Sequence, residues 1–297
     1  MYLESSPDVI SRNGRAKAKG LSQVKIGIVA PAARLHPETA ERVAALAAER
    51  FGGKAELVFH PQCFLSDGHF AGDDSARAAA FLEFANDDGF SHLWFARGGY
   101  GSGRIAEDVL AGLAGAAKAK SYLGYSDNGF LLAGLYAEGY RVAHGPIPHD
   151  VRRDGGEAAV LRSLAWLIDG DRSALEPSLD GKHPAIAFNL TILSKLIGTP
   201  LMPDLSGHVL MIEEVSEHLY AIDRLMFHIT SNAGIRKVAG IRLGRVSDIP
   251  ENDRPFGHTP EEIARHWCER AGIAFLGPAD IGHDVDNKVV PFGKLNP

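Results

Sequence analysis

The sequence predicts an α/β protein, with an N-terminal domain on a parallel sheet followed by a smaller mixed α/β domain. Three observations lead there. Short apolar runs alternate with helix-like stretches from residue 24 to about residue 147, the order of a parallel sheet with crossover helices. Those runs are apolar throughout rather than at every second position, as strands covered on both faces are. Past residue 151 the alternation stops: one helical stretch lies between polar turns, and short strands with fewer helices follow.

In order, VKIGIVAPAA (24–33) is a β-branched run closing on small residues and Pro31, a buried strand feeding a loop. PETAERVAALAAERFG reads as a helix and AELVFHP as a second strand. After CFLSDGHFAGDD, the stretch DSARAAAFLEFANDD opens on an Asp and repeats apolar residues at helical spacing, which predicts a capped amphipathic helix. HLWFARGGYGSG is a strand entering a glycine loop, RIAEDVLAGLAGAAKA a helix, SYLGYS a strand, DNGFLLAGLYAEGY a helix and RVAHGPI a strand. In the second half VRRDGGEAAVLRSLAWLIDG is a helix, and AIAFNLTIL, GHVLMIEEV and GIRLGRVSDI are strands. The expected division is a ragged tail over 1–21, an N-terminal domain over 22–150, a linker with a helix over 151–177 and a C-terminal domain over 178–297. Ligands of a parallel sheet gather at the carboxyl ends of its strands.

Composition narrows the partner classes. The net charge of −6 and the absence of a long Lys/Arg run argue against nucleic acid and against an anionic membrane surface. No stretch approaches the roughly 18 apolar residues of a membrane span, and the N-terminus lacks an apolar signal core, so the expectation is a cytoplasmic protein. Cys63 and Cys268 stand far apart and form no C-x-x-C pair, which indicates neither a disulfide framework nor a cysteine zinc site and fits a reducing compartment. No H-E-x-x-H or comparable spacing occurs, and no metal or cofactor is expected.

Two stretches carry candidate chemistry. LGYSDNG (123–129) places Ser126 on a strand-to-helix turn, the geometry that exposes a serine nucleophile. The match to G-x-S-x-G is partial, because the second glycine is displaced to Gly129, and a serine just before a helix is more often an N-cap. RGGYGSGR (97–104) lets backbone donors approach a ligand closely, as an oxyanion hole requires, or is simply a tight turn. It is not a phosphate fingerprint, since Arg104 stands where the third glycine should be. Arg97 and Arg104 are candidates for bidentate binding of a substrate carboxylate, although arginines beside such a loop are as often merely solvated.

FAGDDSARAAAFLEFANDD, ARGGYGSGRI, LGYSDN, HGPI, FNLTIL, VLMIEEVSEHLYAIDR and IGHDVDNKVVPFG, in that order, resemble the serine LD-carboxypeptidases, the muramoyltetrapeptide carboxypeptidase family that includes microcin-immunity peptidases. The resemblance runs from about residue 24 to the end. It implies a flavodoxin-like or amidotransferase-like N-terminal domain and a Ser-Glu-His triad shared with the C-terminal domain. The family serine falls on Ser126, the glutamate on Glu213 and the histidine on His283. Their chemistry suits those roles: His283 would take the serine proton while Glu213 fixes its tautomer. The backbone N–H of Asp127 with that of Gly98 or Gly99 would form the oxyanion hole, and Asn189 matches a family position near the cleft. After the serine, Asn128 and Gly129 depart from the Ile-Thr common in the family.

The resemblance thus implies a metal-independent serine carboxypeptidase that cuts between an L-centre such as diaminopimelate and a terminal D-Ala in cytoplasmic muropeptides, and a homodimer. The alternatives are a microcin-immunity-like peptidase acting on a peptide-nucleotide conjugate, or a non-catalytic binding protein on the same frame.

Overall fold

Alternate residues of β1 (Val24–Val29) enter two different cores, Ile26 and Ile28 on one side of the sheet and Val29 on the other, all fully buried. This explains the unbroken apolar run. The computed structural model describes residues 23–295, and the tail expected over 1–21 lies outside the described residues. The chain continues through α1 (Pro37–Phe51), β2 (Ala55–Phe59), α2 (Asp74–Asn86), β3 (His92–Phe95), α3 (Ser102–Gly112), β4 (Ser121–Gly124), α4 (Gly129–Ala137), β5 (Arg141–His144) and α5 (Glu157–Asp169). The five strands lie in the order β2-β1-β3-β4-β5, all parallel. Helices α1 and α5 cover the Ile26 face, and α2, α3 and α4 cover the other.

Local signals explain the helices. In α1 the buried Thr39, Ala40, Val43, Ala47 and Phe51 recur at helical spacing behind Pro37 at the first turn. The cap of α2 is Asp73, whose carboxylate accepts from Ala76 N at 2.7 Å, one residue before the expected Asp74. Gly27 lets α2 lie close to the sheet, because a Cβ there would sit 2.6 Å from a ring carbon of Phe84. The segment 151–177, expected as a linker, is more than a connection: Val160 and Leu164 of α5 are fully buried in the same core as Ile26 and Ile28.

A second, smaller sheet follows, built from β6 (Ala185–Asn189), α6 (Leu190–Leu196), β7 (Val209–Val215), α7 (Leu219–Ser231), β8 (Gly240–Ser247), α8 (Pro260–Ala271) and β9 (Phe275–Pro278). Its order is β6-β7-β8-β9, again parallel. Helix is richer here than expected, and the LTIL of the predicted strand opens α6 instead. The reasons are local. Asn189 caps α6, a Thr259/Glu262 capping box with Pro260 starts α8, and Gly272 in the left-handed region ends it. The chain then returns to the first sheet, where β10 (Val290–Pro291) pairs antiparallel with β5 as its sixth strand.

Helix α4 joins the two bodies. It is apolar on nearly every side, with Leu131, Leu132 and Leu135 buried in a core that also contains Phe95 of the first sheet and Phe188 of the second. Such a helix is stable only between two packed layers. Leu131→Ala is therefore expected to cost about 2–5 kcal/mol of stability, seen as a lower urea midpoint; an unchanged midpoint would show that α4 is not a shared core element.

Candidate active site

Register fixes where the site opens. Val29 pairs with Phe95, Trp94 with Leu123 and Gly124 with His144, so the loops after β1, β3, β4 and β5 emerge along one edge. The loop after β4 carries Ser126 at φ 61°, a conformation that costs a non-glycine residue about 1–3 kcal/mol. An N-cap needs an extended backbone, and Ser126 does not have one. Its Oγ instead lies 2.9 Å from Nε2 of His283. The cap reading of LGYSDNG therefore fails, and the strained turn serves to present the hydroxyl.

His283 comes from the loop after β9, and its Nδ1 lies 2.5 Å from Oε2 of Glu213. Glu213 sits on β7 at an irregularity in the β7–β8 pairing and is fully buried, while the histidine is 9% exposed. Gly244 on β8 makes the space: a Cβ there would lie 2.6 Å from Ile281 and 3.0 Å from the Cβ of Glu213. The neighbouring Glu214 points the other way. It accepts from Asn189 Nδ2 at 2.7 Å and from Thr191 N at 2.8 Å, holding the start of α6.

Several ties fix the His283 loop. Arg245 pairs with Asp284 and, at 2.5 Å, with Asp280. Arg162 on α5 donates to the carbonyls of Val285 and Asn287 at 2.9 and 2.8 Å. The Asn287 side-chain oxygen accepts from Gly282 N at 3.2 Å and lies 3.1 Å from Nε2 of His144 on β5. The loop is thus bound to both sheets at once.

Gly98 and Gly99 line the same cleft, a space of about 190 Å³. A Cβ on Gly98 would lie 3.2 Å from Ser126 Oγ and 3.8 Å from the Asp127 amide, so its backbone passes directly beside the hydroxyl. Gly99, at φ 108°, leaves no room for a Cβ against Ala33. The buried Asp127 side chain accepts from Ser102 N at 2.8 Å, and its carbonyl accepts from Ser102 Oγ at 2.5 Å. One residue thereby ties the glycine loop to the serine turn. Arg77, buried beneath, donates to the carbonyls of Pro31 and Gly101 and fixes the loop from below.

Of the other expected substrate contacts, Arg97 lines the cleft. Arg104 does not: it turns outward to Asp74 at 2.7 Å, where opposite charge and a forked fit hold it. Asn189 does not either. Its side-chain oxygen caps α6 at Ile192 N, 3.1 Å away, while its amide is taken by Glu214. The cleft contains residues that the sequence reading missed, namely Tyr125, His149, Asp150 and Arg153. The HGPI stretch could have pointed to the last three, because it ends a strand at the site edge.

Tyr125 lies under the catalytic-type pair, its ring 4.9 Å from that of His283, and its hydroxyl donates to Asp150 at 2.7 Å. Burial pushes the His283 pKa down, but the charge and hydrogen bond of Glu213, with the charge of Asp150, outweigh it and hold the pKa above the ordinary value. An NMR titration of the His283 ring is therefore expected to give a midpoint above about 6.5. Glu213→Gln should move it down, and Asp150→Asn should move it down less; a midpoint unmoved by Glu213→Gln would show that this carboxylate does not govern the ring.

Comparison with known proteins agrees with this arrangement of domains. The sequence matches the LD-carboxypeptidase N-terminal domain over residues 26–145 and the LD-carboxypeptidase C-terminal domain over residues 184–295. It is 28% identical over 301 residues to a Bacillus subtilis protein named as a probable murein peptide carboxypeptidase, covering 96% of this chain and 91% of that one. It is 27% identical over 217 residues to the murein tetrapeptide carboxypeptidase of Pseudomonas aeruginosa, covering 68% and 70%. In fold it is similar to muramoyltetrapeptide carboxypeptidase from Oxalobacter formigenes, with a TM-score of 0.73 at 22% identity over 91% of this chain and 93% of that one. It is similar too to the microcin C7 self-immunity protein MccF, with a TM-score of 0.72 at 19% identity over 92% and 96%. With both domain models matched in order along its length, the chain belongs to the LD-carboxypeptidase family of peptidases.

Proposed function

We propose that the protein is a serine-type, metal-independent LD-carboxypeptidase, releasing terminal D-Ala from an L-centre such as diaminopimelate in murein tetrapeptides, in the cytoplasm during cell-wall recycling. The observation that carries this reading is the run of contacts from Ser126 Oγ through the His283 ring to Glu213. The murein substrates named for the relatives support the choice of peptide. Arginine among the residues lining the cleft suits the terminal carboxylate of a peptide.

In this mechanism His283 Nε2 takes the hydroxyl proton as Ser126 Oγ attacks the carbonyl carbon. Glu213 accepts from the Nδ1–H, which keeps Nε2 free as the base and stabilises the imidazolium. The developing oxyanion faces the amide of Asp127 and that of Gly98 or Gly99. Collapse breaks the C–N bond, and the proton on His283 passes to the departing D-Ala nitrogen. Water then attacks the acyl ester with His283 again as base, and the hydroxyl of Ser126 is restored.

Mass-spectrometric assay of D-Ala release from a murein tetrapeptide is expected to show Ser126→Ala and His283→Ala each down by several orders of magnitude in kcat, with Glu213→Gln down less. Retention of more than about a tenth of kcat by Ser126→Ala would overturn the acyl-enzyme route. EDTA should leave turnover intact, because the serine and histidine supply nucleophile and base; loss restored by zinc would refute metal independence.

A further inference from the structure

A carboxypeptidase must locate a free terminal carboxylate one residue beyond the bond it cuts, and two cations, Arg97 and Arg153, line the cleft beside Ser126. They are not equivalent. Arg97 donates through Nη1 to the carbonyl of Arg34, an exposed contact on a loop. Arg153 donates through Nε to Oδ1 of Asp150 and also reaches the Tyr125 hydroxyl, while its side chain lines the cleft and is 37% exposed, against 2% for that of Asp150.

Asp150 is itself fixed. Its Oδ2 accepts from Ile147 N at 2.9 Å and its Oδ1 from the Tyr125 hydroxyl at 2.7 Å. Tyr125 precedes Ser126 in the chain and packs its ring on His283. The head of Arg153 is therefore held, through one buried carboxylate and one tyrosine, in the same rigid frame as the hydroxyl and the imidazole. That is the requirement for reading a group at a set distance from the attacked carbon, about 3.8 Å per residue.

Charge around the cleft agrees. His149 is pushed down to about 4 by burial and then by Arg97, Arg152, Arg153 and His36, so the ring is neutral near pH 7. Its Nδ1 is buried without a hydrogen-bond partner among the described residues. Burial also lowers the pKa of Arg97, and Arg152 and Arg34 lower it further. Positive charge accumulates here in a chain whose net charge is −6. Asp150, the opposing carboxylate in the lining, has its oxygens taken by the Tyr125 hydroxyl, Arg153 Nε and Ile147 N.

We infer that Arg153, braced by Asp150, is the receptor for the terminal carboxylate of the substrate and so makes the enzyme an exopeptidase. This rests on the serine carboxypeptidase reading above. The test compares a tetrapeptide ending in D-Ala with the same peptide ending in D-alaninamide. Wild type should prefer the acid by about 10- to 100-fold in kcat/KM, the worth of a hydrogen bond to a charged group. Arg153→Gln should bring that ratio close to one, Arg153→Lys should restore part of it, and Arg97→Gln should leave most of it.

A ratio unchanged in both Arg153 variants, or a wild type indifferent to the amide, would overturn the inference. If Arg153→Gln does not fold, the Lys variant decides, because a point charge without the fork must lose part of the preference. Labelling of Ser126 by a fluorophosphonate separates the two levels. A labelled wild type with no carboxylate preference sinks only the role of Arg153, whereas a wild type that resists the label sinks the serine reading beneath it. Should neither peptide be cleaved, protection of Ser126 from the label by free D-alanine but not by D-alaninamide supports the inference, and equal protection or none overturns it.

Discussion

The hydrogen bond from His283 to Glu213 is the tie on which the rest of the site depends. It joins a loop to the middle of a strand through a buried carboxylate that is 0% exposed, so an unpaired Glu213 would leave a charge without water. Much of the surrounding structure keeps the loop in reach of that carboxylate. Arg245 holds Asp280 and Asp284 from the second sheet, while Arg162 and His144 hold the loop from the first. Gly244 keeps clear the space in which the side chains meet. The imidazole therefore has one place to stand, and Ser126 is presented to it there.

Presentation of the serine has its own cost, and the structure offsets it locally. A non-glycine residue at φ 61° persists only where its neighbours over-determine it. Here the neighbour on one side is Tyr125, bound to Asp150, and on the other Asp127, bound to Ser102. The buried helix α4 follows within three residues and prevents the turn from relaxing outward. The same contacts that hold the strained turn also place the glycine loop against it, so the two have a common support.

The first sheet was legible because its strands are continuous apolar runs separated by helix-period stretches, a signal that depends only on burial. The second was less so. The helix α8 carries a plain start signal, Thr-Pro-Glu-Glu, and a glycine stop, but the short β-branched runs around it have strand character, and the LTIL that opens α6 looks like strand in sequence. Ser126, Glu213 and His283 were placed by likeness of motif; no spacing along the chain announces that residues 157 positions apart will touch. Arg104 and Asn189 show the opposite failure. Each has the right chemistry for a ligand, but a carboxylate, Asp74 in one case and Glu214 in the other, takes its donors. Asp150 and Arg153 went unseen because their roles exist only through Tyr125 and the folded cleft.

The return of β10 to the first sheet sets an order on assembly during synthesis. The Ser126 turn, the glycine loop and the five parallel strands are all encoded in sequence that ends well before the His283 loop. Domains emerging first from the ribosome fold first. A nascent chain that ends before residue 283 therefore has Ser126 but no His283 imidazole to set beside it. The imidazole arrives only when the stretch around residues 283–291 has been translated and Val290 has docked beside His144. Until then the growing polypeptide carries Ser126 without the imidazole that lies 2.9 Å from it in the finished fold.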